Sequence, residues 1–335
     1  MYRFFTRLLV LVFVAGLAVF GAALWWLHEP MPLKLQPGAQ ALDLEIEPGT
    51  RGRTVAEAVV ASGADVPVFF LQTWFRLSGQ ARQIKAGSYE IVAGTTPRRL
   101  LSMLVRGEEA LKSVTLVEGW NFNQVRAALQ KAEQLAPDTV GLSAATIMEK
   151  LGRPGIHPEG RFFPDTYTYA KGASDLAVLK RAAKAMDKRV ETAWAMRSPD
   201  TPLKSPEQVL ILASVVEKET GKSSDRAQIA GVFTNRLRTG MPLQTDPTVI
   251  YGMGDKFDGN LRRRDLQTDT AYNTYMRGGL PPTPIAMPGK AALSAAAQPA
   301  RTTALYFVAR GDGSSQFSAS LEEHNRAVNK YIRGQ

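Results

Sequence analysis

The chain has 335 residues, of which 44% are hydrophobic and 21% charged, an ordinary composition for globular domains with a core. The absence of cysteine excludes disulfides and thiolate metal sites, and the three histidines (28, 157 and 324) are too far apart for a histidine metal motif, so we predict no metal and no cofactor. The formal net charge of +10 suggests an anionic partner: nucleic acid, an anionic membrane surface or an acidic polymer.

An apolar run at the N-terminus, residues 8–27, contains no charged side chain. As a helix it is about 30 Å long, which is the thickness of one bilayer core. Arg3 and Arg7 precede it, and the next basic residue is Lys34, so the positive-inside rule places residues 1–7 in the cytoplasm and the rest outside. A cleaved signal peptide is the alternative, but its apolar region is usually shorter, so we favour an uncleaved anchor. Export also argues against nucleic acid as the partner.

The segment after the apolar run, residues 28–41, contains prolines and has no periodicity, and we predict a tether. Beyond it, strand-like and helix-like stretches alternate. The predicted strands are 42–50, 89–95 and 115–120, and the predicted helices are 54–61, 67–77, 97–105 and 123–132. The strand–helix–helix–strand order over about residues 42–93 resembles a LysM-like fold. The alternative is a generic small α+β subdomain without a ligand.

A strong helix start lies at Ser205, with Pro206 at the first helical position and Gln208 completing a capping box. The helix continues through an apolar stretch to Val216, and Gly221 is placed to end it. Because the stretch is apolar nearly all round, we predict a buried helix.

Two carboxylates, Glu217 and Glu219, stand at the end of this apolar stretch. Burial raises the pKa of a carboxyl group, and a carboxyl of that kind can act as a general acid near neutral pH. The two residues point about 200° apart on a helix, so they do not act together on one substrate atom. We expect one to face a pocket and the other to pair with a cation, but periodicity does not say which. A structural role for both is the alternative.

Seven motifs then follow in a characteristic order. They are EGRFFPDTY (159–167), ASVVEKETG (213–221), VFTNRL (232–237), LQTDPTVIYGMG (243–254), TAYNTYMRGGLPPTPIAMPG (270–289), AAAQPARTTALYFVARGDG (295–313) and FSASLEEHN (317–325). In this order and spacing the chain closely resembles the YceG-like (MltG) family of membrane-anchored endolytic murein transglycosylases. The resemblance extends from the anchor to the end of the chain.

The resemblance implies the reaction. The family cuts the β-1,4 bond between N-acetylmuramic acid and N-acetylglucosamine in nascent peptidoglycan, and it leaves 1,6-anhydro ends instead of adding water. The family's catalytic glutamate is the first Glu of the VEKE segment, which is Glu217 here, as general acid and then general base. Glu219 is then an orienting or ion-pairing residue.

The loop motifs supply further candidates for contacts with the sugars. These are Gln244, Thr245, Asp246, Tyr251, Asn273 and Tyr275. Each has a structural alternative: Asp246 in a turn, Asn273 bonded to backbone, and the tyrosines in the core. In EGRFFPDTY, Glu159 and Asp165 look more like turn residues than acids.

We therefore expect an α+β protein with a transmembrane helix at 8–27, a LysM-like subdomain at 42–110 and a mostly helical YceG-like catalytic domain at 111–335. The resemblance implies the bacterial inner (cytoplasmic) membrane, a catalytic domain on the periplasmic side, and glycan strands and cell-wall synthases as partners. Two alternatives stay open. One is a hydrolase that uses Glu217 with a second carboxylate such as Asp246, and the other is a non-catalytic peptidoglycan-binding scaffold.

Overall fold

The computed structural model describes residues 2–35, 39–219 and 222–334, with the side chains of residues 2–4 left out. The chain forms two compact units, Met1–Lys112 and Ser113–Gln335. In the described residues, the secondary structure consists of helices and three two-stranded sheets, each formed by two strands that are consecutive in sequence. The predicted mixture of helices and small sheets is thereby confirmed.

The first unit begins with a long apolar helix and continues as a small α+β body. Its elements are α1 (Tyr2–His28), β1 (Ala41–Ile46), α2 (Gly52–Ala61), α3 (Val68–Leu77), a 3-10 turn (Ala81–Gln83), β2 (Gly87–Val92) and α4 (Pro97–Arg106). Strands β1 and β2 pair antiparallel, with Leu44 opposite Tyr89. Alternate residues of β1 are buried, as a strand with one face on a core requires. The predicted strand–helix–helix–strand order is present.

Helix α1 contains the predicted apolar segment. Its stretch Phe5–His28 is long and apolar enough to cross a membrane, and none of that stretch is buried inside the protein. The tether predicted at 28–41 includes residues 36–38, which lie outside the described residues.

The second unit is mostly helical. Strand β3 (Leu111–Thr115) leads into it, and its elements are α5 (Phe122–Lys131), α6 (Ala144–Lys150), β4 (Thr166–Ala170), α7 (Asp175–Ala195), α8 (Pro206–Glu219), α9 (Ser223–Thr239), α10 (Asp246–Met253), a 3-10 turn (Gly254–Lys256), α11 (Arg263–Gln267), α12 (Lys290–Ala297), β5 (Tyr306–Ala309), β6 (Ser315–Ser318), α13 (Leu321–Val328) and a π turn (Asn329–Arg333).

Helix α8 lies at the centre of the second unit, where it packs against α7, α9 and α12. Every residue from Val209 to Val216 is buried, which confirms the predicted buried helix. At its start, the Ser205 hydroxyl accepts a 3.3 Å hydrogen bond from the Gln208 N–H. The Gln208 side chain accepts from the N–H of Lys204 instead of Ser205, so the predicted capping box is displaced by one residue. Gly221, the predicted end of the helix, lies outside the described residues.

The strand predicted at 115–120 is wrong, because β3 ends at Thr115. The chain turns at Gly119, which adopts φ +76°, a left-handed conformation that favours glycine. The Gly119 N–H then donates to the Met287 carbonyl at 2.9 Å, and the Met287 N–H donates to the Trp120 carbonyl at 2.7 Å. This pairing places Glu118 and Gly119 beside the C-terminal end of α8.

Candidate functional site

Glu217 lies near the C-terminal end of α8, and its side chain is only 7% exposed. Its Oε2 accepts a 2.8 Å hydrogen bond from the backbone N–H of Gly289, the residue before α12. Its Oε1 lies 3.7 Å from an Nη of Arg226 on α9. The carboxyl is therefore held by one backbone donor and one neighbouring cation.

A second carboxylate, that of Glu118, lies next to this group. A Cβ built on Gly289 would stand 1.8 Å from Glu118 Oε1, so the Glu118 carboxylate occupies the space that a side chain at 289 would need. Gly119 also lies near this group, since a Cβ built on it would be 4.0 Å from the Glu217 Cγ, an ordinary contact distance. Gly289 thus allows Glu118 and Glu217 to approach the same backbone segment.

The environment of Glu217 raises its pKa, chiefly through burial and additionally through the negative charge of Glu118. The Gly289 N–H, Arg226 and Lys218 act in the opposite direction because each favours the carboxylate. The raised pKa agrees with the expectation from the buried helix. A carboxyl group balanced in this way can donate a proton and later accept one.

Glu219 lies on another side of α8 and lines a separate cleft of about 400 Å³. Its Oε1 accepts a hydrogen bond from the hydroxyl of Thr245, which is itself 2% exposed. Burial raises the pKa of Glu219, the Thr245 hydroxyl lowers it, and Asp246 raises it further. Glu217 and Glu219 thus have separate partners, as their spacing on the helix predicts. Glu219 lines a cleft, and Glu217 is the one with a cation nearby.

Three further candidates line the cleft of Glu219: Gln244, Asp246 and Tyr275. The Tyr275 hydroxyl donates to Asp246 Oδ1 at 2.6 Å. The Gln244 Oε1 accepts from Arg236 at 3.2 Å, and the Gln244 backbone has φ +50°, an uncommon conformation for this residue. Arg236 is buried and also donates to the carbonyl of Leu243 at 2.9 Å, which fixes the loop before α10.

A larger cleft of about 1030 Å³ is lined by residues that include Gly119, Glu159, Lys218, Tyr251 and Tyr272. Two of these residues lie next to Glu217: Lys218 follows it in α8, and Gly119 is in contact distance of its side chain. The Lys218 Nζ lies 3.4 Å from the Gly119 carbonyl. Tyr251 and Tyr272 meet edge to face with ring centroids 4.8 Å apart. Aromatic faces and polar groups together are typical of a ligand-binding cleft.

Glu159 is a buried acid in this larger cleft, with only 3% of the residue exposed. Its Oε2 accepts from the Phe122 N–H at 3.2 Å and from the Tyr251 hydroxyl at 3.1 Å. Its Oε1 is buried without a hydrogen-bond partner in the described part of the chain. Burial raises the pKa of Glu159 to about 7.

Asn273 is completely buried and bonded to backbone. Its amide donates to the carbonyls of Leu266 and Thr268 at 3.0 and 2.7 Å, and its Oδ1 accepts from the Tyr275 N–H at 2.9 Å. These contacts correspond to the structural alternative for this residue. Over the described ranges, no group of three or more His, Asp or Glu is placed to hold a metal ion.

Comparison with known proteins identifies the family, since residues 44–330 match the model of the YceG-like family. The chain belongs to the YceG-like family. A Bacillus subtilis protein named endolytic murein transglycosylase is 34% identical over 270 residues, covering 75% of this chain and 74% of that protein. A Streptococcus pneumoniae protein of the same name is 28% identical over 284 residues, and the match covers 74% of this chain but 51% of that protein. This chain therefore spans about half of the pneumococcal relative.

A solved structure of a YceG-like protein is also similar. The crystal structure of a YceG-like protein from Listeria monocytogenes is 27% identical, with a TM-score of 0.53 over 85% of this chain and 98% of that one. Family membership thus rests on both sequence and fold.

Three residues at the site of this YceG-like chain were not among the sequence candidates: Glu118, Arg226 and Gly289. Gly289 closes one of the quoted motifs, and Glu118 precedes a glycine, but neither pattern reveals the contact with Glu217. Glu159 lies in a turn, as its motif predicts, since the Arg161 N–H donates to the Pro158 carbonyl at 3.2 Å. Its burial and its contact with Tyr251, 92 positions away, depend on tertiary structure.

Proposed function

We propose that this chain is an endolytic peptidoglycan lytic transglycosylase, in which Glu217 is general acid and then general base. The observation that carries the proposal is a buried carboxyl group with a raised pKa at the position of the family's catalytic glutamate. The B. subtilis and S. pneumoniae relatives named endolytic murein transglycosylase support the same reaction class.

In the proposed first step, protonated Glu217 donates its proton to the glycosidic oxygen between N-acetylmuramic acid and N-acetylglucosamine. The bond from C1 of the muramic residue to this oxygen breaks, and the carbonyl oxygen of the muramic N-acetyl group stabilises the positive carbon. The Glu217 carboxylate then takes the proton of the C6 hydroxyl as that oxygen bonds to C1. One bond breaks, one forms, and the 1,6-anhydro product contains no added water.

The surroundings of Glu217 suit both halves of this cycle. Burial and Glu118 favour the neutral acid needed for the first step. The Gly289 N–H and Arg226 favour the carboxylate that accepts the second proton. Proton transfer by one positioned group contributes about 10²–10⁴-fold to a rate, so the clefts must supply the remainder through orientation and electrostatics.

For substrate binding, we propose that the glycan follows the 1030 Å³ cleft and reaches Glu217 past Gly119 and Lys218. Tyr251 would contact a sugar ring there, while Gln244, Asp246 and Tyr275 would contact sugar or stem peptide in the smaller cleft. The hydrogen bond from the Thr245 hydroxyl to Glu219 would fix the position of the Glu219 side chain in the wall of that cleft. We assign Asn273 to the support of the backbone.

A two-carboxylate hydrolase is the second candidate, and the position of Glu118 favours it. Retaining and inverting glycosidases use paired acids, and Glu118 is a second acid at the same backbone segment as Glu217. In the preferred account, Glu118 adjusts the pKa of Glu217 and does not activate water.

For the rest of the chain, we propose that α1 anchors the protein once in the bacterial inner (cytoplasmic) membrane, with residues 1–7 in the cytoplasm. The tether at 28–41, the LysM-like subdomain at 42–110 and the catalytic domain at 111–335 would lie on the periplasmic side. Cell-wall synthases would be partners, because a tether that holds the active site beside newly made polymer raises its effective concentration there.

The reaction type is tested by incubating the detergent-solubilised full chain with peptidoglycan strands in water enriched in heavy oxygen. A lytic transglycosylase gives muropeptide ends one water lighter than the hydrolytic product and free of the label. Labelled reducing ends would instead establish the hydrolase. Strands that stay bound but uncut would support a scaffold.

A further inference from the structure

A cavity of about 500 Å³ lies within the Met1–Lys112 unit, between the C-terminal end of α1 and helices α3 and α4. One part of its lining is apolar and includes Leu24 and Leu27 of α1. Another part carries positive charge, from Arg98 and Arg106 of α4. An amphipathic, anionic ligand matches a lining of this kind.

The two arginines are weakly neutralised by the protein. Arg98 has an Nη 3.4 Å from the His28 Nε2 and no carboxylate within 4.0 Å among the described residues. Arg106 is 71% exposed and lies 3.8 Å from an oxygen of Glu108. That carboxylate already forms two hydrogen bonds with Arg99, at 3.2 and 2.5 Å. The arginines of the cavity therefore retain charge for a ligand.

A buried donor lies behind the lining of the cavity. Trp74 of α3 lines the cavity, and its indole N–H is buried without a hydrogen-bond partner in the described part of the chain. A buried donor of this kind is costly unless a partner satisfies it. Because this N–H has no surface open to the cavity, recognition of a charged ligand falls to Arg98 and Arg106.

The cavity lies at the end of the helix that is apolar enough to span a bilayer. Trp26 of α1 packs edge-on against Phe70 of α3, with ring centroids 5.7 Å apart. On the same helix, the apolar side chains of Phe69 and Leu77 are 69% and 78% exposed. If α1 spans the membrane, this exposed apolar surface lies at the boundary of the hydrocarbon core, where aromatic side chains are common.

We propose that this cavity binds the phosphate head group of an anionic phospholipid, with its glycerol and upper acyl chain along Leu24 and Leu27. Arg98 and Arg106 would contact the phosphate, since guanidinium groups bind phosphate oxygens with paired hydrogen bonds. The site rests on the proposed role of α1 as a membrane anchor. It does not depend on Glu217, so failure of the lipid site would leave the transglycosylase proposal untouched.

The test is native mass spectrometry of the full chain in detergent, with phosphatidylglycerol or phosphatidylcholine added. We expect the chain to retain one phosphatidylglycerol in preference to phosphatidylcholine. The double variant Arg98→Gln/Arg106→Gln should bind phosphatidylglycerol roughly 30-fold more weakly. Each basic residue near an anionic lipid surface contributes about a fivefold factor in affinity, and two residues are removed. Trp74→Phe, which keeps the ring but removes the N–H, should bind phosphatidylglycerol as the unmodified chain does, because that N–H is buried away from the cavity.

The matched control is Arg51→Gln/Arg53→Gln, which removes the same charge from exposed positions of the same unit. This control should retain phosphatidylglycerol as the unmodified chain does. Equal retention of both lipids, or equal loss in the control pair, would overturn the proposal. Complete displacement of phosphatidylglycerol by inorganic phosphate, but not by chloride of the same ionic strength, would overturn the lipid assignment in favour of free phosphate. Unchanged circular dichroism would show that each variant is folded.

Discussion

The backbone N–H of Gly289 donates a 2.8 Å hydrogen bond to the carboxyl of Glu217. This donor favours the charged form of Glu217 and so lowers its pKa, whereas burial of the side chain raises it. Gly289 also leaves space for Glu118, whose carboxylate fills the position of a side chain at 289. One residue without a side chain therefore brings both acids together.

The first prediction is that Gly289→Ala displaces Glu118 and lowers activity. The backbone of Gly289, with φ −80° and ψ 176°, suits alanine, so an effect must come from the collision with Glu118 Oε1 at 1.8 Å. Because a glutamate side chain can move, we expect little loss of stability. Gly278→Ala is the control, since a Cβ there meets nothing within 4 Å. Turnover of glycan strands is the measurement, and equal turnover in both variants would contradict the prediction.

The second prediction concerns pH. The charge of Glu118 raises the pKa of Glu217, so Glu118→Gln should lower it. The high-pH limb of the kcat/KM profile reports loss of the proton from the general acid, and it should move to lower pH. Glu191→Gln, at an exposed glutamate on α7, is the control. A profile that falls in height without moving would mean that Glu118 acts by another route.

The third prediction concerns stability and Glu159. Burial raises the folded-state pKa of Glu159 from its ordinary value of 4.5 to about 7. Between these two pH values the folded protein binds more protons than the unfolded protein, so its free energy of unfolding decreases as pH rises through that window. The loss is complete above about pH 7 and is at most about 3 kcal/mol.

Glu159→Gln removes this titration while keeping the size of the side chain. The Tm of the variant, relative to the unmodified chain, should therefore increase between pH 4.5 and pH 8. Thermal unfolding at several pH values is the measurement. A Tm difference that stays constant across the range would show that Glu159 is charged in the folded protein throughout.

The fourth prediction tests whether substrate enters the smaller cleft. The hydroxyl of Tyr275 donates to Asp246 at 2.6 Å, and Tyr275→Phe removes that bond. If the pair contacts substrate, KM should increase several-fold with kcat nearly unchanged, because binding is lost equally in the ground and transition states. If the pair is structural, KM should stay the same while stability falls by about 1 kcal/mol.

Much of the framework could be predicted from local sequence. The apolar stretch 209–216 predicts a buried helix, and the spacing of Glu217 and Glu219 predicts that they have different neighbours. Both were confirmed because periodicity and burial act within a few turns of one helix. The motifs likewise indicated the YceG-like family, which the comparison with known proteins confirmed.

The remainder depends on contacts between distant parts of the chain. Strand β3 ends at Thr115, and the following residues bond first to Asp165, through the Leu116 N–H, and then to Met287; no local pattern contains these partners. For the same reason, the sequence does not predict Glu118 and Gly289 at the site, because they are adjacent in space but 171 positions apart in sequence. Glu159 lies in the turn that its motif predicts, but its contacts with Phe122 of α5 and Tyr251 of α10 are not contained in that motif.

The central claim is that Glu217, and not Glu219, transfers the proton. The most direct measurement compares the rate of glycan cleavage by Glu217→Gln and Glu219→Gln in the full chain, with product masses recorded. We predict that Glu217→Gln lowers kcat by about 10²–10⁴-fold without loss of folding, while Glu219→Gln still forms products one water lighter than hydrolytic ends. Normal turnover by Glu217→Gln, or abolished turnover by Glu219→Gln alone, would contradict the account.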